Sequence, residues 1–148
     1  MRKERNWFNS DRKSPSKYGN VRTEYNGYRY DSKFEAEVAA SLDWQKEAGQ
    51  ITDWERQYKL EMWAYDCNGD RAMKKTHKVD FRVHEVDGSF TLLEAKGAET
   101  QDYRDRRNWL EKLWLPEHPD HVYEVVRCPP GKAARRRPNF KAIHRGKP

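Results

Sequence analysis

Asp80, in the run Lys78-Val79-Asp80-Phe81-Arg82-Val83, is followed fourteen positions later by the Glu94-Ala95-Lys96 of Leu93-Glu94-Ala95-Lys96-Gly97. Two carboxylates that converge with a lysine beside them make a site for a hard divalent cation, which prefers oxygen ligands, and set a fixed positive charge next to it. Such a set suffices to hydrolyse a phosphodiester with water activated by Mg2+.

Whether the two carboxylates meet depends on the elements that carry them. Each lies in a short alternating run, and a Gly-containing turn separates the runs. Val79, Phe81 and Val83 share one face of the first run and leave Asp80 on the other. In the second, Leu93 and Ala95 oppose Glu94 and Lys96. A two-residue Asp87-Gly88 loop would pair Asp80 with Ala95 and send Glu94 to the opposite side. A three-residue loop, Val86-Asp87-Gly88 with Gly88 left-handed, pairs Asp80 with Glu94 and packs Phe81 against Leu93. The Cβ atoms would then lie roughly 4.5–5.5 Å apart, and the carboxylates would repel unless a cation sat between them. The three-residue loop is the expectation.

Other elements follow along the chain. Tyr25-Asn26-Gly27-Tyr28-Arg29-Tyr30 carries a hairpin-type Asn-Gly turn. Ser32-Lys33-Phe34-Glu35 fits a capping box, with Asp31 as an alternative cap. Phe34, Val38, Ala39, Leu42 and Gln45 keep helical spacing to about Ala48, and Gly49 closes the helix. Trp54 to Trp63 alternates as a half-buried strand, with Trp54, Arg56, Tyr58, Leu60 and Met62 on one side. Cys67-Asn68-Gly69-Asp70 is a turn. Thr100 opens a second helix through about Trp114, stopped by Pro116, and Val122 to Arg127 forms a last strand. The expected order is helix, three-stranded antiparallel meander, helix, strand: a mixed α/β (α+β) fold.

Glu35 joins the candidate site by placement rather than spacing. It lies in the first turn of the first helix, whose packing on the sheet could aim its carboxylate at Asp80 and Glu94. The competing reading spends Glu35 on closing the capping box.

Composition sets the frame. The chain has 148 residues, 35% hydrophobic, 36% charged and 13% aromatic, a size that suits one domain. Disorder would combine high charge with few aromatics, so six Trp and eight Tyr argue for a folded body. No apolar run approaches the ~20 residues of a membrane span, and no signal peptide is visible. Two cysteines, Cys67 and Cys128, make no disulfide framework, so a reducing cytoplasm is expected. The net charge of +6 is unevenly spread: residues 1–22 carry +5, residues 131–148 carry +7, and the body between them is −6. Basic arms on an acidic body read as groups that neutralise phosphates. The expected division is a basic arm over 1–22, a folded domain over 23–130 and a basic tail over 131–148.

The order of parts resembles the PD-(D/E)xK nuclease superfamily, whose core is a helix, a three-stranded meander, a second helix and a further strand, with the motif on the second and third strands. Here Val79 replaces the usual proline before the aspartate, and Glu94-Ala95-Lys96 supplies the second half intact. Ser32-Lys33-Phe34-Glu35, followed by Ala48-Gly49-Gln50-Ile51 and Glu55-Arg56-Gln57, is similar to the start of small phage-associated members. These include an uncharacterised family and, more distantly, the phage junction-resolving endonuclease I. The resemblance spans about residues 25–127 and implies a restriction-endonuclease-like core. It also implies that Asp80 and Glu94 bind one or two Mg2+, with Mn2+ able to substitute, helped by the backbone carbonyl of Ala95. Glu35 would complete or extend the coordination, and Lys96 would orient the attacking water or hold the scissile phosphate.

Softer signals surround this set. Arg104, Arg106 and Arg107 on the second helix are candidates for phosphate contact, against a solvated helix face. Gln57, on the polar side of the first long strand, is a candidate for a backbone phosphate. Lys78 and Arg82 flank Asp80, and Arg135, Arg136 and Arg137 lie in the basic tail. His77 reads as a surface histidine, with a metal neighbour or proton donor as the second reading. His118 and His121 form no zinc pattern with the cysteines. Trp44, Trp54, Trp63, Trp109 and Trp114 suit a core or a dimer contact, and Trp7 could stack on a base. The expectation is a phage-encoded, Mg2+-dependent endonuclease acting on branched DNA of the Holliday-junction type, working as a twofold dimer in the host cytoplasm. A nuclease subunit of a transposition or restriction-like system and a non-catalytic DNA-binding accessory are the alternatives.

Overall fold

The computed structural model describes residues 22–96 and 99–127. The basic arm with Trp7, the tail with Arg135, Arg136 and Arg137, and Cys128 lie outside the described residues. Among the described residues the fold is mixed α+β, with two sheets and two α-helices.

A small hairpin, β1 (Thr23–Tyr25) and β2 (Tyr28–Tyr30), opens it. Asn26 and Gly27 both take positive φ, 49° and 77°, as a two-residue primed turn requires. Helix α1 (Lys33–Glu47) begins where the Ser32 Oγ accepts the Glu35 N–H at 3.1 Å. It ends in a Schellman motif: the Gln50 N–H donates to the Gln45 carbonyl and the Gly49 N–H to Lys46, with Gly49 left-handed at +70°.

The main sheet is ordered β3-β4-β5-β6. Strands β3 (Ile51–Tyr65) and β4 (Arg71–Glu85) are 15 residues each and pair antiparallel along their length. β5 (Phe90–Lys96) pairs antiparallel with β4, and β6 (His121–Arg127) lies parallel to β5. A parallel neighbour needs a crossover, which α2 (Gln101–Trp109) and the turns after it supply. Thr100 caps α2, its hydroxyl accepting the Tyr103 N–H. The helix is shorter than the sequence suggests. It gives way at Leu110–Trp114 to a wider π-type turn, then to a 3-10 turn over Leu115–Glu117 that holds Pro116. Proline is tolerated there because the first positions of a helical turn lack a partner for the N–H.

The β4–β5 connection is the three-residue loop. The Glu85 N–H donates to the Ser89 carbonyl, the Gly88 N–H donates to the Glu85 carbonyl, and Gly88 sits at φ +84°. A Cβ on Gly88 would meet nothing within 4 Å, so Gly88→Ala is expected to cost about 1 kcal/mol from backbone conformation alone. Chemical denaturation checks this; a loss several times larger would mean the substitution disturbs the register as well.

Each face of the sheet carries its own core. Val38, Ala39 and Leu42 of α1 pack with Phe81, Val83, Leu93 and Ala95. Leu110 and Trp114 pack with Leu60, Met62, Val79 and Leu92. Trp54 anchors the first core, its indole N–H donating to Asp43 at 2.9 Å while the Tyr25 hydroxyl donates to the other oxygen of Asp43 at 2.7 Å. The expected single apolar side of β3 is therefore corrected. Trp54 belongs to the α1 core, whereas Tyr58, Leu60 and Met62 belong to the other. Val79 and Phe81 divide in the same way. The switch falls at Gln57, whose φ of +52° interrupts the extended conformation, so simple alternation does not carry through it.

Candidate active site

Three elements bring the candidate residues together. The β4–β5 ladder runs His84–Phe90, Val83–Thr91, Arg82–Leu92 and Phe81–Leu93. One further step sets Asp80 opposite Glu94, the register that the three-residue loop demands. Asp80 lies just past the last paired residue, so the Ala95 N–H lacks a ladder partner on that edge and donates to the Asp80 Oδ2 at 2.8 Å. A strand residue sends its N–H and C=O to the same edge, so the Ala95 carbonyl faces this edge too. Glu35 reaches the site from the first turn of α1.

Glu94 is buried, at 2% exposure. Its Oε1 is hydrogen-bonded to the Nε2 of His77, and its Oε2 is buried with no hydrogen-bond partner. His77 is itself 3% exposed, which corrects the surface reading: past Gln57 the odd-numbered residues of this part of β4 turn toward α2. Two phenols stand close to Glu94. The Tyr103 and Tyr123 hydroxyls are 2.8 Å apart. Burial and then the Glu94 charge push the Tyr123 pKa up. Tyr103 is raised mainly by burial, with a smaller push from Glu94. Lys96 lays its Nζ 4.6 Å from the centre of the Tyr103 ring, a cation–π contact that fixes the ammonium beside the carboxylates.

The electrostatics are those of crowded acids. Burial first, and Glu94 after it, push the Asp80 carboxyl up to about 6, against the Ala95 N–H, Lys96 and His77, which pull it down. Glu35 is pushed up to about 7 by burial and then by Asp80 and Asp31, with the Asp31 backbone and the Ser32 side chain opposing. Glu35 is thus held at the helix cap and lies within electrostatic reach of Asp80.

The residues fit a divalent cation. An orphaned buried carboxylate oxygen, beside a second carboxyl whose ionisation burial and Glu94 oppose, is what a bound cation would relieve. Among the described residues no three His, Cys, Asp or Glu side chains gather closely enough to hold an ion unaided. Mg2+ does not need them, because it keeps several waters and binds through one or two carboxylates plus substrate phosphate. Asp80 and Glu94 would hold it, with the Ala95 carbonyl on the same edge and Glu35 further out.

The other candidates are placed less uniformly. Gln57 stands opposite Asp80 in the β3–β4 register and is exposed. Lys78 is exposed, two residues from Asp80. Arg82 is committed elsewhere: its guanidinium stacks on Tyr58 and Phe90 and pairs with Glu55 at 3.4 Å. Arg106 pairs with Asp102 at 2.9 Å, Arg107 with Glu111 at 2.8 Å, and Arg104 with Glu99 at 3.7 Å. The α2 arginines therefore form a largely self-neutralised helix face. Neither Tyr103 nor Tyr123 is among the candidates that the sequence offers. Their only signal is an aromatic on each element that follows the motif, too common to single them out.

The class that the fold defines is a mixed α+β domain, with the buried Glu94, the half-buried Asp80 and Lys96 where the β4–β5 ladder ends. The chain belongs to the family described as "Protein of unknown function (DUF1064)", which it matches over residues 15–128. No curated protein and no solved structure matches it. No helix among the described residues is long and apolar enough to cross a membrane.

Proposed function

We propose that this protein is a Mg2+-dependent endonuclease with a restriction-endonuclease-like core, cutting phosphodiester bonds in branched DNA. The observation that carries the reading is the meeting of Asp80, the buried Glu94 with its free Oε2, and the ring-stacked Lys96 at the point where the β4–β5 ladder opens. Asp80 and Glu94 would hold Mg2+, which when bound supplies water of lowered pKa and offsets charge on the phosphate. The protein's own part is positional. Asp80 is oriented by the Ala95 N–H, and Glu94 is held by His77. Lys96 supplies a fixed cation where negative charge grows on the phosphate oxygens. Glu35, pushed up to about 7 beside Asp80, would complete or extend the coordination from the first turn of α1. Symmetric cutting of both strands would require two such sites, hence a twofold dimer.

The decisive test compares wild type with Asp80→Ala on an end-labelled four-way junction and its matching linear duplex, with Mg2+ and with EDTA. Paired Mg2+-dependent cuts near the branch point, absent from the variant and from the duplex, are expected. Equal cutting of both substrates would keep the nuclease and remove the junction preference. Binding without cutting would favour an accessory role. Lys96→Ala is expected to slow cleavage by about 100-fold or more, the scale of losing one charge-stabilising group, with DNA affinity changed far less. Single-turnover kinetics beside an EDTA binding isotherm separates the two effects.

A further inference from the structure

Beyond Gln57 and Asp80 the β3–β4 pair continues as an arm to the turn around Asn68 and Gly69. One face of this arm is buried under Leu110 and Trp114 through Leu60, Met62 and Val79. Among the described residues no helix covers the opposite face. It carries Lys59 directly across from Lys78, both exposed, and neither has an acidic partner among the described residues. Like charges facing each other across a ladder destabilise it, so the fold carries this pair at a cost. Four residues further out Trp63 pairs with Lys74. The Trp63 ring holds the Arg71 guanidinium at 4.5 Å and the Lys74 ammonium at 5.5 Å, and both cations remain exposed. The acid on this stretch is Glu61, 3.4 Å from Lys74. Four cations therefore line one open face of a strand pair that starts at the candidate site, on a body whose net charge is negative.

We infer that this face is a phosphate-backbone track that follows the nucleic acid away from the cut site. The inference rests on the nuclease reading for its direction, while the surface itself rests on the four cations. Trp63 acts as a pedestal. With its faces engaged by Arg71 and Lys74, it holds those cations outward at little further entropy cost. At about 3.3 Å per strand residue, Lys59 and Lys78 lie roughly 7 Å along the arm from Gln57 and Asp80, and Trp63 and Lys74 roughly 20 Å. That reach spans about six nucleotide steps at 3.4 Å each. Charge complementarity selects the occupant: a row of four cations with a single acid among them suits a polyanion of regular spacing and disfavours an apolar partner.

The test measures the salt dependence of binding to a fluorescein-labelled four-way DNA junction in EDTA. Wild type is compared with the double variant Lys59→Ala/Lys78→Ala, with Trp63→Ala, and with the control Lys46→Gln at the far end of α1. The basic termini contribute equally to all four proteins. The double variant should lower the slope of log K against log salt by about 1.8, two phosphates at 0.9 each, and weaken binding on the order of tenfold or more at 0.15 M salt. Trp63→Ala should weaken binding less, and the control should match wild type. Thermal unfolding supplies an independent readout: relief of the Lys59–Lys78 repulsion should leave the midpoint unchanged or raised, opposite to a structural role. An unchanged slope in the double variant, or no binding by wild type, overturns the track. Wild-type binding with the lowered slope but no Mg2+-dependent cleavage would retain the track and remove the nuclease reading.

Discussion

Asp80→Asn should abolish Mg2+-dependent cleavage and at the same time make the metal-free protein more stable at about pH 8. The substitution is isosteric and keeps an oxygen to accept the Ala95 N–H, so the local fold is retained. What it removes is a charge that burial and Glu94 oppose. The Asp80 carboxyl stands at about 6 in the folded protein against an ordinary value of 3.8. Between those two values the folded state binds more protons than the unfolded chain, so stability falls as pH rises through that window. Above it the full penalty applies, on the order of 3 kcal/mol for a shift of this size. Glu35, pushed up to about 7, adds to the fall and extends it toward neutrality. Asn lacks the Asp80 part of this penalty. Calorimetry of metal-free protein across this range should show a declining wild-type midpoint and a shallower decline in the variant. Mg2+ should then raise the wild-type midpoint by mass action and leave the variant unmoved. A variant less stable than wild type at the high-pH end would mean that Asp80 is not held against its own charge.

His77→Ala should be the most destabilising single change at the site. The imidazole is the partner of a carboxylate that is 2% exposed. Removing it leaves both Glu94 oxygens without a hydrogen-bond partner, and breaking a buried pair from one side costs about 3–5 kcal/mol. His77→Gln, which keeps a donor, should lose less. In a Glu94→Gln background the same His77→Ala change should be milder, because a neutral amide is cheaper to leave buried than a carboxylate. Urea denaturation of the four proteins gives the coupling as a double-mutant cycle. Purely additive losses would show that the His77–Glu94 contact contributes nothing of its own. A loss of cleavage in His77→Gln at preserved stability would identify His77 as a residue that positions Glu94 for the ion.

Much of this arrangement is local chemistry and therefore legible in the chain. Asn26-Gly27 dictates a primed turn, Ser32 and Gly49 bracket α1, and Gly88 after Val86-Asp87 fixes the β4–β5 register. Because a strand alternates with period two, that single glycine decides that Asp80 faces Glu94 rather than Ala95. The element order and the Asp80, Glu94 and Lys96 set follow from these short-range rules. Two features do not. Gln57 turns left-handed in mid-strand, and the faces of β3 and β4 change cores there. No residue type announces that, since glutamine carries no preference for such a φ. His77 was misplaced for this reason: the period could be counted, but the faces change at Gln57, and only beyond that change does His77 meet Glu94. The α2 arginines, candidates for phosphate contact against a solvated helix face, pair with acids one turn away, Arg106 with Asp102 and Arg107 with Glu111, a pairing that helical spacing already encodes. The sequence by itself determined which groups could do chemistry and the turn that makes the two carboxylates meet, because turns and alternation act over a few residues. Only the tertiary structure decided which neighbours from β6 and α2 enclose Glu94 and which cations remain unpaired. Burial and charge pairing depend on contacts between segments that spacing along the chain does not encode.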